Sequence, residues 1–356
     1  FLPGPYLTMA MADHGAEVIK VEPPGEGDPG RHIGVSDGPT TVFFKNVNRG
    51  KKSVVLDLKS DAGRAALYRL CDAADVFVES YRPGVMQRLG FDWETLSARN
   101  PRLVYCSISA FGQDGPYRDV PAHDIATEAY AGVLSITHGR DGVPAMPGLA
   151  TADILSSLNA LAGVLMALFR REKTGRGDRI DVSMQHSTLA GLPNVLGPAM
   201  AGLPQPDPKH ERTTGGSAFY QIYDTADGRH LVLGGQEIKF VRNLLGRLDR
   251  LDLVPLCERG PGAHQAPVIE FLREAFRQRT LADWMAWFEG MDVSAAPVNT
   301  LREALDDPNA RAQGLVLTDE RGREHIAPVV RFTLEPARPV LCEPMLDEHH
   351  SIVDES

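Results

Sequence analysis

The chain has 356 residues, 43% apolar and 24% charged, with a formal net charge of −10 and an isoelectric point of about 5.6. That length admits two domains, or one large domain with an insertion, and the balance is that of an ordinary globular protein. The acidic surplus excludes the extended basic face of a nucleic-acid binder, but leaves room for a local basic pocket that takes a phosphorylated small molecule.

Four cysteines, Cys71, Cys106, Cys257 and Cys342, are scattered without a CxxC and without metal or disulfide spacing. This points to a reducing cytoplasm and to no bound metal. No uncharged run reaches the length of a membrane span, and the apolar stretch after Asp153 reads as a buried helix.

The chain opens in FLPGPYLTMA, which looks like the middle of a βα unit, so residues are expected ahead of Phe1. Residues 5–15 have helical spacing and end at Gly15; residues 16–22 alternate as a strand. Further strands are expected over 53–58, 74–79 and 103–108. Helices are expected over 60–71, opened by Ser60 and Asp61, and over 85–89 and 93–100. Strands alternating with helices predict a parallel α/β layer with right-handed crossovers, whose ligand lies at the carboxyl ends of the strands. No GxGxxG follows these strands, so a dinucleotide site of the usual kind is not supported.

Residues 121–153 carry the chemistry. His123-Asp124 opens a short apolar helical run, a turn-rich loop follows over 138–142, and Asp153 begins a long apolar run. Asp153 therefore falls at or near a helix start, where free N–H groups favour a negative charge. Taken singly, Asp153 reads as an N-cap and His123 as a loop histidine. Brought into one pocket, they make a general acid/base pair.

Beyond this a strand is expected over 179–184. Clustered prolines and glycines over 193–217 predict a linker. Residues 218–300 form a second unit, with a hairpin turning at Asp227-Gly228 and three helices. A helix running through Pro308 and two β segments, 314–319 and 328–333, complete the chain. The expected layout is thus a large domain over 1–192, a linker over 193–217, a small domain over 218–300 and a C-terminal segment over 301–356. Met184, Met200, Leu203 and Phe219 are candidates for an adaptable apolar pocket wall.

Three loops place cations beside strand ends: 27–31 (GDPGR), 48–52 (NRGKK) with Lys59 beyond it, and 81–84 (YRPG) with Arg88 on the next turn. Arginine and lysine beside glycine-freed backbone suit phosphate oxygens, so a phosphate-bearing ligand is expected here.

The stretches GPYLTMAMADHGAEVIKVEPPGEGDPGR, NRGKKSVVLDLK, ADVFVESYRPGVMQRLGF, NPRLVYCSISAFGQDGP, REKTGRGDRIDVSM and GGSAFYQIYDTADGRHLVLGGQEIKF resemble the CaiB/BaiF family. That family comprises the class III coenzyme A transferases together with the α-methylacyl-CoA racemases. The resemblance runs over nearly the whole chain. It implies a Rossmann-like α/β large domain, a smaller α+β domain, a C-terminal segment returning to the large domain, and two chains interlocked as a homodimer. It implies no permanently bound cofactor; coenzyme A enters as the substrate thioester, with a carboxylic acid as a possible acceptor. The family's nucleotide contacts carry over to Arg31, Leu56, Lys59, Ser80, Tyr81 and Arg88, with Arg82 in the same loop. Transferases often have Asn-Phe or Asn-Tyr where this chain has Ser80-Tyr81.

Two chemistries are implied. Transferases use one aspartate, matched here by Asp153, to attack the thioester and carry CoA as an aspartyl thioester. Racemases use the same aspartate as a base opposite a histidine, matched by His123 in Ala122-His123-Asp124-Ile125, with a supporting glutamate matched by Glu237. Inverting a carbon next to a thioester needs two acid/base groups that titrate near neutrality, and donors for the enolate oxygen, for which the Asp153 backbone N–H is a candidate. Proton transfer at the α-carbon is therefore favoured narrowly over CoA transfer. The long GEGDPGR loop, Ala126-Thr127-Glu128 after the histidine motif, and Thr214-Gly215-Gly216 in place of a glycine run all depart from one subgroup or the other. A catalytically inactive CoA-binding homologue is the third reading.

Overall fold

The computed structural model describes residues 1–355. The chain divides into two compact units: a larger one of Phe1–Val133, Gly148–Leu192 and the chain from Pro308 onward, and a smaller one of Leu134–Pro147 and Pro193–Asp307.

The larger unit opens with α1 (Pro3–Asp13), whose prolines sit in the first turn, where a missing N–H costs nothing. Then come β1 (Ile19–Glu22), α2 (Val42–Asn48), β2 (Lys52–Val55) and α3 (Asp61–Ala73). Helix α2 was not legible in the sequence: it is one short run capped by Thr41, which accepts from the Phe44 N–H at 3.1 Å. Ser60 caps α3 as expected, accepting from the Gly63 N–H at 3.0 Å. Next are β3 (Val76–Glu79), α4 (Val85–Leu89), α5 (Trp93–Arg99), β4 (Val104–Ser109), α6 (Asp124–Tyr130), α7 (Thr151–Thr174), β5 (Arg179–Ser183) and α8 (Met184–Ala190).

These five strands pair in parallel, but in two sheets rather than one layer: β1 with β2, and β3-β4-β5 with β4 in the centre. Strand β4 is buried along its full length, and its alternation feeds two cores. Tyr105 joins Leu67, Cys71, Phe91 and Leu96. Val104, Cys106 and Ile108 join Leu7 of α1 and Ala160, Val164 and Ala167 of α7. The expected buried helix after Asp153 is buried on one face only. By length and composition α7 would suffice to cross a bilayer; here its small residues pack on β4 and α1, while Leu158, Leu165, Met166 and Phe169 are exposed.

The segment expected to be a linker belongs to the smaller unit. It contains α9 (Gly197–Met200) and a tight turn at Pro208–His210, and the Gly216 carbonyl accepts from the Gly262 N–H at 2.8 Å. The loop over 134–147 also belongs to this unit, where Arg140 grips Asp224 with both terminal nitrogens, at 2.5 and 3.1 Å. Strands β6 (Tyr220–Asp224) and β7 (His230–Gly234) form the expected hairpin. Helices α10 (Ile238–Arg247), α11 (Val254–Glu258), α12 (Ala266–Phe276) and α13 (Leu281–Phe288) follow, and β8 (Ala295–Pro297) pairs with β7. The core is Tyr223, Leu231, Leu244, Val268, Phe276 and Trp284.

Helix α14 (Leu301–Asp306), started by a Thr300–Glu303 capping box, ends the smaller unit. The single helix expected through Pro308 is two, because Pro308 begins α15 (Pro308–Ala312) instead of continuing α14. Strand β9 (Val316–Thr318) pairs antiparallel with β10 (Glu324–Ile326). The second β segment therefore falls at Glu324–Ile326, and residues 328–333 are not a strand; the turn at Asp319–Gly322 reverses the chain sooner than the apolar pattern suggested.

Buried guanidinium groups fasten this C-terminal segment to the larger unit. Arg323 holds Glu343 through two bonds of 2.8 and 2.9 Å and Asp319 through its Nε at 2.8 Å, and Glu343 also accepts from Thr40 at 3.0 Å. Arg49 binds the Asp13 carboxylate and the Ile326 carbonyl. Removing one member of a buried ion pair strands the other charge, at a cost of about 3–5 kcal/mol. Glu343→Ala is therefore expected to lower the urea midpoint far more than Ser60→Ala, which forfeits only an N-cap worth about 1 kcal/mol.

Candidate active site

Helix α7 begins without a cap of its own. Its N-cap residue is Ala150, which has no side-chain acceptor for the free N–H groups of the first turn. Helix α6 supplies the acceptors. Glu128 Oε1 accepts from the Thr151 N–H at 2.9 Å, and Asp124 Oδ1 accepts from the Asp153 N–H at 3.0 Å. Positions 124 and 128 are one turn apart, so both carboxylates project from one face of α6. Glu128 is fully buried, and its Oε2 has no hydrogen-bond partner among the described residues.

This capping places Asp153, in the first turn of α7, among carboxylates. Its pKa is pushed up to about 6 from an ordinary 3.8, first by burial and next by the Asp124 charge; Glu128 adds to the rise and His123 opposes it. No donor among the described residues bonds the Asp153 side chain, whereas its carbonyl accepts from Ser156 and Ser157. The backbone N–H of Asp153, expected to be available to an enolate, is already held by Asp124, so it is not a free oxyanion donor. His123 is the N-cap residue of α6; its ring is exposed and stacks on Phe1, with centroids 6.5 Å apart. The structure thus gathers His123, Asp124, Glu128 and Asp153 at the touching ends of α6 and α7. Glu237 lies in the smaller unit, exposed, as the N-cap residue of α10 with no capping bond.

The cation loops separate into two kinds. Arg31 is buried and its guanidinium is spent inside the protein: Nε and Nη2 bind Glu22 at 2.8 and 2.6 Å, Nη1 binds the Pro344 carbonyl at 3.1 Å, and the plane lies over Phe44. Arg31, expected to contact the nucleotide, thus acts in this structure as an internal clasp. Burial would raise the Glu22 carboxyl, but Arg31, Ser53 and the Asp28 N–H together hold it below its ordinary value. Leu56 is likewise in the core. Lys59, Arg82 and Arg88 are exposed, with no ion-pair partner among the described residues. Tyr81 is 53% exposed, and its N–H donates to Glu79 Oε2 at 2.9 Å, which sets the turn that presents residues 80–84 beyond the end of β3. Ser80 Oγ faces the first turn of α1 and would lie 3.3 Å from a Cβ at Gly4.

Of the apolar pocket candidates, Met184 and Phe219 are buried in the cores of their units, whereas Met200 and Leu203 are exposed. Phe219 does border a cavity in the smaller unit, with Ser217, Gln236 and Cys257, but its 50 Å³ has room for about a water or two and no pantetheine arm. The buried thiols of Cys71 and Cys106 are pushed up to about 12 and that of Cys257 to about 11 by burial, which leaves them poor nucleophiles.

The family model for CoA-transferase family III matches residues 1–350. The chain belongs to that family. Among its curated relatives, human succinyl-CoA:glutarate CoA-transferase is 32% identical over 360 residues, 98% of this chain and 81% of that protein. Human alpha-methylacyl-CoA racemase is 34% identical over 354 residues, 98% of this chain and 87% of that protein. The mixed α/β fold matches a CaiB/BaiF family protein from Brucella suis with a TM-score of 0.86 and 29% identity, covering 99% of this chain and 95% of that one. The family thus holds both transferases and racemases at similar distance from this enzyme.

The titration of Asp153 has a thermodynamic consequence. A carboxyl that titrates near 6 when folded and 3.8 when unfolded favours the fold fully below pH 3.8 and loses that contribution as pH rises through 6. Asp153→Asn should therefore raise the melting temperature at pH 8, by an amount equivalent to about 1–3 kcal/mol, and leave it nearly unchanged at pH 4.

Proposed function

We propose that this enzyme moves a proton at the carbon next to the thioester of a 2-methylacyl-CoA, with Asp153 and His123 as the two acid/base groups. The observation that carries the reading is the Asp153 carboxyl at the start of α7. It has no hydrogen-bond donor of its own, is raised to about 6, and lies at the same helix junction as His123. A base that titrates near neutrality can take a proton and return it. A histidine on the other side is the natural partner, and attack by one carboxylate on a thioester has no use for it. Glu237 remains the supporting glutamate of this reading. The thioester enters as substrate, with its nucleotide end at Lys59, Ser80, Tyr81, Arg82 and Arg88, beside Leu56 and the loop that Arg31 braces.

CoA transfer to a carboxylic acid through a covalent Asp153 intermediate is the second reading, and the transferase relatives matched over 98% of this chain support it. Incubation in deuterated buffer separates the two. Exchange of the α-hydrogen of a 2-methylacyl-CoA without an acceptor acid is expected, abolished by Asp153→Ala and by His123→Ala. CoA appearing on a free acid, with Asp153 trapped by hydroxylamine and the exchange absent, would assign the protein to transfer instead.

The working form is a homodimer. The face of α7 with Leu158, Leu165, Met166 and Phe169 supports this, since residues 7, 8 and 11 positions apart share one side of a helix and the group is too apolar to be left in water at no cost. Phe169→Glu with Met166→Glu should shift the mass measured by light scattering toward the monomer.

A further inference from the structure

The turn beyond β3 contains Gly84, whose φ of +81° suits glycine, and the space above it is framed by two guanidinium groups from different parts of the chain. A Cβ placed on Gly84 would lie 3.3 Å from Arg88 Nη1 and 3.2 Å from Arg118 Nη2. Arg88 comes from α4. Arg118 comes from the loop after β4, about thirty residues later, and its sequence context gave no sign of this meeting.

Arg118 is held in place. Its Nε donates to the Gln113 carbonyl at 3.0 Å and its Nη1 to Asp119 at 2.9 and 3.2 Å, which leaves Nη2 directed over Gly84. Gln113 is fixed in turn, through its backbone N–H, to Asp181 in the middle of β5, at 2.9 Å. Arg88 and the neighbouring Arg82 have no ion pair among the described residues, so Asp119 is the only carboxylate bonded to any of the three arginines. Two cationic forks aimed at one point, with one acidic partner on the outer edge, repel each other unless an anion lies between them. They converge at the carboxyl ends of β3 and β4, where parallel sheets bind ligands. A glycine beneath them leaves room for oxygens that any side chain would displace.

We propose that Arg118 joins Arg88, already matched to a nucleotide contact of the family, in a phosphate-binding fork over Gly84 that grips a phosphoryl group of the coenzyme A nucleotide. Arg118 is the member fixed in advance and Arg88 the member that closes on the ligand. This rests on the reading of the substrate as a CoA thioester. The shared chemistry is a phosphoryl oxygen held by two guanidiniums, and that oxygen belongs either to the 3′-phosphate or to the diphosphate.

Calorimetric titration of wild type, Arg118→Gln and Arg118→Lys with coenzyme A, dephospho-coenzyme A and pantetheine tests it. Arg118→Gln is expected to weaken coenzyme A at least tenfold and leave pantetheine unchanged, with Arg118→Lys in between. If the loss vanishes with dephospho-coenzyme A, the fork holds the 3′-phosphate; if it persists, the fork holds the diphosphate. Unchanged affinity for coenzyme A in Arg118→Gln, in a protein whose wild type binds it, overturns the fork and leaves the family's substrate reading standing. An equal loss for pantetheine also overturns it, because it shows a loosened loop rather than a lost phosphate contact. A wild type that binds none of the three removes the substrate reading itself, and the fork with it.

Discussion

The larger unit depends on the way α6 supplies what α7 lacks. A 24-residue helix that begins at Ala150-Thr151 has free N–H groups and no capping side chain of its own. Asp124 and Glu128 bring acceptors from outside, and this fixes the relative position of two helix ends that the chain separates by about twenty residues. Charged acceptors at a helix N-terminus are favourable for hydrogen bonding and for the helix dipole alike. The same two carboxylates crowd Asp153 and resist its ionisation. The same pair of contacts thus builds the junction and raises the Asp153 carboxyl.

The cationic residues show a similar division of labour. Arg31, Arg49 and Arg323 are buried and paired with Glu22, Asp13 and Glu343, and the bonds from Arg31 to the Pro344 carbonyl, from Arg49 to the Ile326 carbonyl and from Thr40 to Glu343 join the first fifty residues to the last fifty. Lys59, Arg82 and Arg88 face outward beside strand ends with no partner among the described residues. In sequence the two groups look alike, each an arginine or lysine near a glycine. What distinguishes them is the set of partners each one meets in the fold, and the most distant of these, the Pro344 carbonyl bonded to Arg31, lies 313 positions away.

That is also where legibility ended. Elements governed by local pattern were readable: Ser60 as a cap, Val85–Leu89 as a helix, the hairpin around Asp227-Gly228, Asp153 in the first turn of a helix. Period and capping act within a few residues, and sequence displays them directly. Features decided by distant contacts were not readable. Glu128 appeared only as a departure from a motif, although its spacing from Asp124 was a usable sign that both face one way. Arg31 was expected to face a ligand, because nothing nearby revealed that Glu22 and Pro344 enclose it. The proline-rich stretch over 193–217 looked like a tether because composition registers flexibility and misses the backbone bonds that tie it down.

The division of the chain has a consequence for anyone who would take the protein apart. The polypeptide passes from one unit to the other after Val133, Pro147, Leu192 and Asp307. Neither half is therefore a continuous stretch that a gene could lose, acquire or exchange by a single recombination. A fragment ending at Leu192 would carry a stray piece of its neighbour and lack the tail that Arg31 and Arg49 hold. Such a polypeptide can vary along its length by substitution, but it is inherited whole.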